Sequence, residues 1–257
     1  MSSIVEGSVS ASVENDICTI VFSHPQSNSL PGVLLRSLAA EITKAGDNSQ
    51  VSVIVIKSEG EKAFCAGASF DELVSIKSFD EGRAFFSGFA LVINAMRKAP
   101  KFVIARVQGK AVGGGVGIAS AADYTLATQA ADVKLSELAV GIGPFVVGPA
   151  VERKIGTSAF SQLAINAAEW KSAAWAREKG LYADVFPTIQ ELDEAVASLA
   201  QRLSASNPHA MKQLKHIFWH GTDHWDSLLM ERAEMSGTLV LSEYTRNAIA
   251  RFKSGAR

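Results

Sequence analysis

The sequence predicts an α/β fold built on parallel strands, and a few features carry that prediction. Val51 to Ile56 (VSVIVI) and Phe102 to Val107 (FVIARV) are nearly continuous apolar runs, the pattern of strands covered on both faces. Helix-start signals lie between them, at Ser69-Phe-Asp-Glu72 and Ser78-Phe-Asp-Glu81. In each, a serine stands three residues before a glutamate, the capping-box spacing. Strand and helix then alternate from residue 51 to residue 127, which favours crossover units with parallel strands.

Taken in order, the chain opens with alternation. Val9, Ala11 and Val13 face one way and Ser10 and Ser12 the other, which predicts an early strand. Ile17 to Phe22 is apolar and β-branched and predicts a second strand. His24-Pro25-Gln26-Ser27-Asn28 reads as a turn. Pro31 suits the first position of a helix with Leu34, Leu35, Leu38 and Ile42 on one face. The helix opened by Ser78 runs towards Lys98, and Pro100 stops it. An alanine-rich helix follows Gly109 to Gly117, and a strand lies near Tyr124 to Ala127. From Gly148 helices dominate: Pro149 to Ile155, Ser158 to Ile165, Ser172 to Lys179, Ile189 to Ser204, Pro208 to Trp219 and Trp225 to Phe252. The Ser206-Asn207-Pro208 break divides a core, residues 1–205, from a C-terminal helical region, residues 206–257.

Composition narrows the function classes. Hydrophobic residues make up 47% and charged residues 20% of 257 residues, ordinary for a globular core. A net charge of −1 gives no field that would draw nucleic acid or an anionic membrane. Any phosphate on a ligand must then be met by a few local cations. Cys18 and Cys65 have no second thiol or histidine at metal-ligand spacing and read as small core or loop residues. Met1 to Val9 lacks the basic and apolar regions of a signal peptide. The uncharged stretch Leu138 to Val151 is short and broken by glycines and prolines, so it does not span a bilayer. These features lead us to expect a soluble, cytoplasmic protein.

Three segments carry candidate chemistry. Ala63-Phe-Cys-Ala-Gly-Ala-Ser69 sits between a buried strand and a capped helix, and its small residues let a ligand approach the backbone; a plain tight loop is the alternative. Gly109-Lys-Ala-Val-Gly-Gly-Gly-Val-Gly117 precedes a helix whose first amides suit a developing oxyanion. Close helix–strand packing explains the same glycines. A dinucleotide fingerprint does not, because Ile118 or Ser120 falls at the third glycine position. In Leu135-Ser-Glu137-Leu-Ala-Val-Gly-Ile-Gly-Pro144, Glu137 stands in apolar surroundings that raise a carboxyl pKa. A surface glutamate in a first helical turn is the alternative.

In this order and over nearly the whole chain, these segments resemble the enoyl-CoA hydratase/isomerase (crotonase) family. His24 to Leu30 is similar to its H-P-x-x-N-x-L ligand loop, and AFCAGAS to its A-F-x-A-G-A-D segment. QGKAVGGGVGIA is similar to its N-G-x-A-x-G-G-G-x-E-L-A segment, and LSELAVGIGP to its P-E-x-x-x-G-x-x-P segment. The resemblance implies a spiral of ββα turns with C-terminal helices that trimerise, often into dimers of trimers. It implies an acyl-CoA substrate, with coenzyme A entering as part of that substrate and no separate cofactor or metal. It implies that the thioester oxygen sits between the amides of Ala66 and Gly114. Gln26, Ser27, Gly67, Ala68 and Ser69 match positions that line the coenzyme A.

The departures from the family pattern bear on the reaction. Family hydratases hold water with two glutamates; the second matches Glu137, and the first falls at Gly117. The family's aspartate after A-G-A is Ser69. Family isomerases manage with one glutamate at the position of Glu137, because the enolate holds charge while a single carboxylate moves the proton. Isomerisation is therefore preferred. Hydration, including that of branched substrates such as methylglutaconyl-CoA, and decarboxylation are kept as alternatives, as is a non-catalytic acyl-CoA-binding role. Glu152 is a weaker candidate acid, Lys101, Arg251 and Lys253 are candidate phosphate contacts, and His216 with His220 has the spacing, but no third ligand, of a metal face.

Overall fold

The computed structural model describes residues 6–254, with side chains through Arg251. Residues 1–5 of the first stretch and the side chains of Phe252 and Lys253 lie outside the described residues.

Two sheets are wound together. The larger has six strands in the order β1-β2-β3-β5-β7-β9. β1 (Ser8–Glu14) pairs antiparallel with β2 (Ile17–Ser23). β3 (Val53–Ser58), β5 (Phe102–Val107), β7 (Tyr124–Thr128) and β9 (Asp184–Phe186) follow in parallel. The smaller sheet is parallel and consists of β4 (Ala63–Cys65), β6 (Lys110–Val112) and β8 (Val133–Lys134). From β3 to β8 the chain thus gives one strand to the large sheet and the next to the small one, and returns through helices. This is the spiral of ββα turns that the resemblance implied.

The apolar runs are buried on both faces, as their sequence required. Val53, Val55, Ile104 and Leu126 pack against Leu192, Val196 and Ala200 of α7 (Ile189–Ser204). Ile54, Ile56, Val103 and Ala105 face the main core. There they meet α1 (Gly32–Asp47), which buries Leu34, Leu35, Leu38 and Ile42. α3 (Phe79–Lys98) and α4 (Gly114–Ala121) complete that layer. β1 differs: its alternation yields a strand, but Ala11 and Val13 stay exposed at the sheet edge.

Both predicted serine caps form. Ser69 Oγ accepts from Glu72 N ahead of α2 (Phe70–Ser75), and Ser78 Oγ accepts from Glu81 N ahead of α3. Neither box closes reciprocally. Glu72 reaches instead to Gly32 N at the start of α1, 2.7 Å away, and so ties two helix ends together. Glu81 bonds Lys77 N. The reciprocal box is at Thr188 and Glu191 of α7.

The helices predicted at 149–155 and 158–165 both form within Gly148–Ile165 (α5), divided at Gly156, where φ is 76° and the backbone is not helical. α6 (Ala173–Glu178) is capped by Ser172. After α8 (Pro208–Phe218), the single helix predicted for 225–252 is two, α9 (Trp225–Leu239) and α10 (Glu243–Ser254). Ser242 Oγ accepts from Thr245 N and starts the second. Periodicity continues through the break, so the local hydroxyl cap, and not the apolar pattern, decides it. α9 packs closely on α3: a β-carbon at Gly82 would stand 2.9 Å from Gly237 Cα. Arg97 of α3 donates to Asp226 of α9 at 2.8 Å.

Candidate active site

A cavity of about 820 Å³ opens at the carboxyl ends of β4, β6 and β8. Three parallel strands end side by side there, so the loops leaving them converge on one space. Those loops are the glycine- and alanine-rich segments and the turn that carries Glu137.

The loop before α1 forms one rim. Ser27 and Asn28 both adopt positive φ, 55° and 56°. Asn28 holds this shape: its Oδ1 accepts from His24 N, and its Nδ2 donates to Glu59 O and Ala63 O. Asparagine tolerates the left-handed region and its amide replaces missing backbone partners. Gln26 Nε2 donates to Asp71 Oδ2 at 2.8 Å. Gln26, Ser27, Gly67 and Ala68 all reach the cavity wall.

Two of the residues named from sequence are engaged within the chain, Ser69 and, although it lies on the wall, Ala66. Ser69 is fully buried and is not part of the wall; its hydroxyl is taken by the α2 cap. The Ala66 N–H donates to Ser27 O at 3.1 Å, so that amide is occupied within the chain. Two residues on, the geometry reverses. Leu30 N donates to Gly67 O and Ser69 N donates to Leu30 O, a parallel bridge around Ala68. In such a bridge the bracketed residue's own N–H points the other way. The Ala68 N–H therefore faces away from Leu30, and no acceptor meets it among the described residues.

The second turn holds Gly113 at φ 51°, followed by Gly114 as the first residue of α4. Gly113 N donates to Lys134 O, and Gly113 O accepts from Val116 and Gly117, so this turn is fixed. The N–H groups of a first helical turn have no intrahelical acceptor, and Gly114 lies on the cavity wall. Gly67 abuts the same turn: a β-carbon there would lie 3.8 Å from Gly114 N.

Glu137 starts a 3₁₀ turn, Glu137–Val140. A β-carbon at Gly113 would lie 2.8 Å from Glu137 Oε1, so the carboxyl sits directly over that turn. Oε2 is buried without a hydrogen-bond partner. Burial pushes the pKa up to about 7, partly opposed by its own main-chain N–H. Loss of water disfavours the charged form, and too few donors compensate. The turn is braced from behind by α10, where Thr245 Oγ1 donates to Gly141 O at 3.1 Å.

The position where hydratases carry a first glutamate is closed. A β-carbon at Gly117 would come within 2.4 Å of Val147 Cγ1. Val147 itself lines the cavity, so a valine methyl fills the space. The remaining candidates lie elsewhere. Glu152 is exposed and accepts from Thr157 Oγ1 at 2.6 Å. Lys101 donates to Ala45 O and Asn48 O at the end of α1. Neither is on the cavity wall. No group of three metal-ligating side chains occurs among the described residues, those around His216 and His220 included. Both cysteines are buried and free, and burial pushes Cys65 up to about 12.

The model of the family described as Enoyl-CoA hydratase/isomerase matches residues 12–252. The chain belongs to the enoyl-CoA hydratase/isomerase family. A Bacillus subtilis protein named as an enoyl-CoA hydratase/isomerase, YngF, is 31% identical over 90% of each chain. The mitochondrial methylglutaconyl-CoA hydratase of Homo sapiens is 32% identical over 87% of this chain and 67% of its own. The crystal structure of an enoyl-CoA hydratase from Bacillus halodurans superposes with a TM-score of 0.87, at 21% identity and covering 94% of this chain and 98% of that one. At that identity the likeness speaks for the crotonase fold alone.

Several wall residues of this family member were not singled out from sequence. Val147, Phe89 and Phe86 come from distant elements, Lys134 ends β8, and Trp170 lies beside it. Lys134 carried a usable signal, since it stands immediately before the quoted segment and three residues before Glu137. Val147 carried none, because only packing brings it against Gly117.

Proposed function

We propose that the chain binds an acyl-CoA thioester and shifts its double bond from C3–C4 to C2–C3 through an enolate, with Glu137 as the one acid/base. The observation that carries this is the buried carboxyl over Gly113, its pKa pushed up to about 7 by burial, with the second acid's space at Gly117 taken by Val147. The thioester oxygen is read as accepting from Ala68 N–H and Gly114 N–H. Each such donor contributes about 3–4 kcal/mol when charge develops on the oxygen. Glu137 as carboxylate takes the C2 proton, and the C–H electrons pass to the thioester oxygen. The enolate collapses as Glu137 returns that proton to C4, and the double bond is left at C2–C3. Nothing is consumed, and one carboxyl with a pKa near 7 serves in both directions. Gln26, Ser27 and Gly67 are read as supporting the coenzyme A.

Hydration is the second reading, favoured by the names of relatives such as the human methylglutaconyl-CoA hydratase. It requires water to be oriented without a second glutamate. A cytoplasmic homotrimer, or a dimer of trimers, with residues 206–257 as the assembling region, completes the proposal. Exposed Leu214, Ile217 and Phe218 along α8 support an apolar contact there.

The test is a panel of 2-enoyl- and 3-enoyl-CoAs with product identification. Conversion of 3-enoyl-CoA to 2-enoyl-CoA is expected. Efficient hydration of 2-enoyl-CoA with 3-enoyl-CoA untouched overturns the isomerase reading. Exchange of C2 protons of a saturated acyl-CoA in heavy water separates an enzyme from a binder, and Glu137→Gln is expected to abolish it.

A further inference from the structure

We infer that Lys134, with Lys110 and Trp170, forms a subsite for an oxyanion carried by the ligand, namely a carboxylate at the far end of the acyl chain. The inference rests on the acyl-CoA reading above. Among the described residues, the charged side chains lining the cavity are Asp71, Lys134 and Glu137. Two are acids, so an anionic ligand that enters this space has one cation on the wall to meet it.

The arrangement around that cation is prebuilt. The Nζ atoms of Lys110 and Lys134 each lie 4.7 Å from the centroid of the Trp170 ring. Trp170 is itself on the wall. It is held beside β8 because Lys171 and Val133 exchange both main-chain hydrogen bonds. Lys110 and Lys134 stand on adjacent strands, two rungs out of register, since Val112 pairs with Lys134. An ammonium is attracted by the indole face, and the hydrogens not turned to the ring remain for an acceptor. No ion pair of the described residues includes either lysine. Both ammonium groups lie against one ring, and an oxyanion placed between them and the cavity meets both.

The oxyanion has two sources in an acyl-CoA, a distal acyl carboxylate or a coenzyme phosphate. Strand order favours the first. β4 and β8 are opposite edges of the small sheet. Asp71 and the Gln26–Ser27 rim lie at the β4 edge, and Lys134 lies at the β8 edge, three residues before Glu137. A coenzyme on Gln26 and Ser27 therefore sends its acyl chain past Glu137 towards Lys134.

The test is calorimetric titration of the full chain with hexanoyl-CoA and adipoyl-CoA, and with the matching pantetheine thioesters, which lack phosphate. The proteins are wild type, Lys134→Met and Lys134→Arg. Adipoyl-CoA is expected to bind wild type about tenfold more tightly than hexanoyl-CoA, the effect of one charge-assisted hydrogen bond. Lys134→Met is expected to erase that margin while leaving hexanoyl-CoA unchanged, and Lys134→Arg to keep it. The margin is expected to persist between the pantetheine thioesters. If Lys134→Met weakens both CoA esters equally and neither pantetheine ester, Lys134 serves a phosphate and the acyl assignment is overturned. If it changes nothing, the subsite is overturned. If neither CoA ester binds wild type, the acyl-CoA reading itself fails, a result separate from the other two.

Discussion

Asp123 and Glu137 are both carboxyl groups taken out of water, in two regions the chain treats in opposite ways. Asp123 has three donors. Its Oδ2 accepts from Val103 N at 2.7 Å and Lys215 Nζ at 2.5 Å, and its Oδ1 accepts from Trp219 Nε1 at 2.8 Å. Lys215 also donates to Met96 O, and Trp219 packs edge-on against Trp225. One acid so fastens β5, α3, α8 and α9. Glu137 keeps a buried oxygen with no partner. A buried acid with its acceptors filled works as a fastening; one left short of donors stays poised to exchange a proton.

The largest effect expected from breaking this contrast is on turnover. Glu137→Gln should lower kcat by about 10²–10⁴ while the chain stays folded. It should also alter the pH dependence of stability. Folded Glu137 holds its proton to about pH 7, and the unfolded group only to about 4.5. Between those values the folded state binds the extra proton, so wild-type stability falls as pH rises through that window. The fall is of order 3 kcal/mol, and Glu137→Gln should flatten it in urea titrations at pH 4.5 and 8. A slope that survives the substitution would show that the strain is not at Glu137.

Asp123→Ala should cost about 3–5 kcal/mol, because Lys215 is left charged and buried. The double change Asp123→Leu with Lys215→Met should recover most of that loss. Neither is expected to alter kcat per folded molecule. Gly117→Glu should cost about 1–3 kcal/mol by overpacking against Val147. Adding Val147→Ala should recover stability and raise hydration of 2-enoyl-CoA. If Gly117→Glu alone is as stable as wild type, the space is not closed as described. The smallest effect is expected for Thr245→Val, about 1 kcal/mol from one lost hydrogen bond behind the Glu137 turn, read as a lower thermal midpoint.

Local signals identified the elements well where the interaction is local. Ser69 and Ser78 cap the helices expected of them, and the apolar runs of β3 and β5 are buried on both faces. The small sheet escaped because β4, β6 and β8 are three residues long or shorter, too brief for any period to show. β9 escaped for the same reason. At the site, Glu137, Gly67, Ala68 and Gly114 were named from sequence and share one cavity. Which amide was already engaged was not legible, because Ser27 O reaches Ala66 N across a loop 39 residues away.

The sequence by itself determined β1, β2, β3, β5 and β7, the capped helices, the family pattern and the loss of one glutamate at Gly117, since each is written in neighbouring residues. Tertiary structure alone decided that Val147 fills the vacated space, that Ala68 and not Ala66 has its amide free, and that Glu137 lacks donors while Asp123 has them. Those outcomes depend on atoms brought together from distant parts of the chain, and burial and hydrogen-bond satisfaction exist only once they meet.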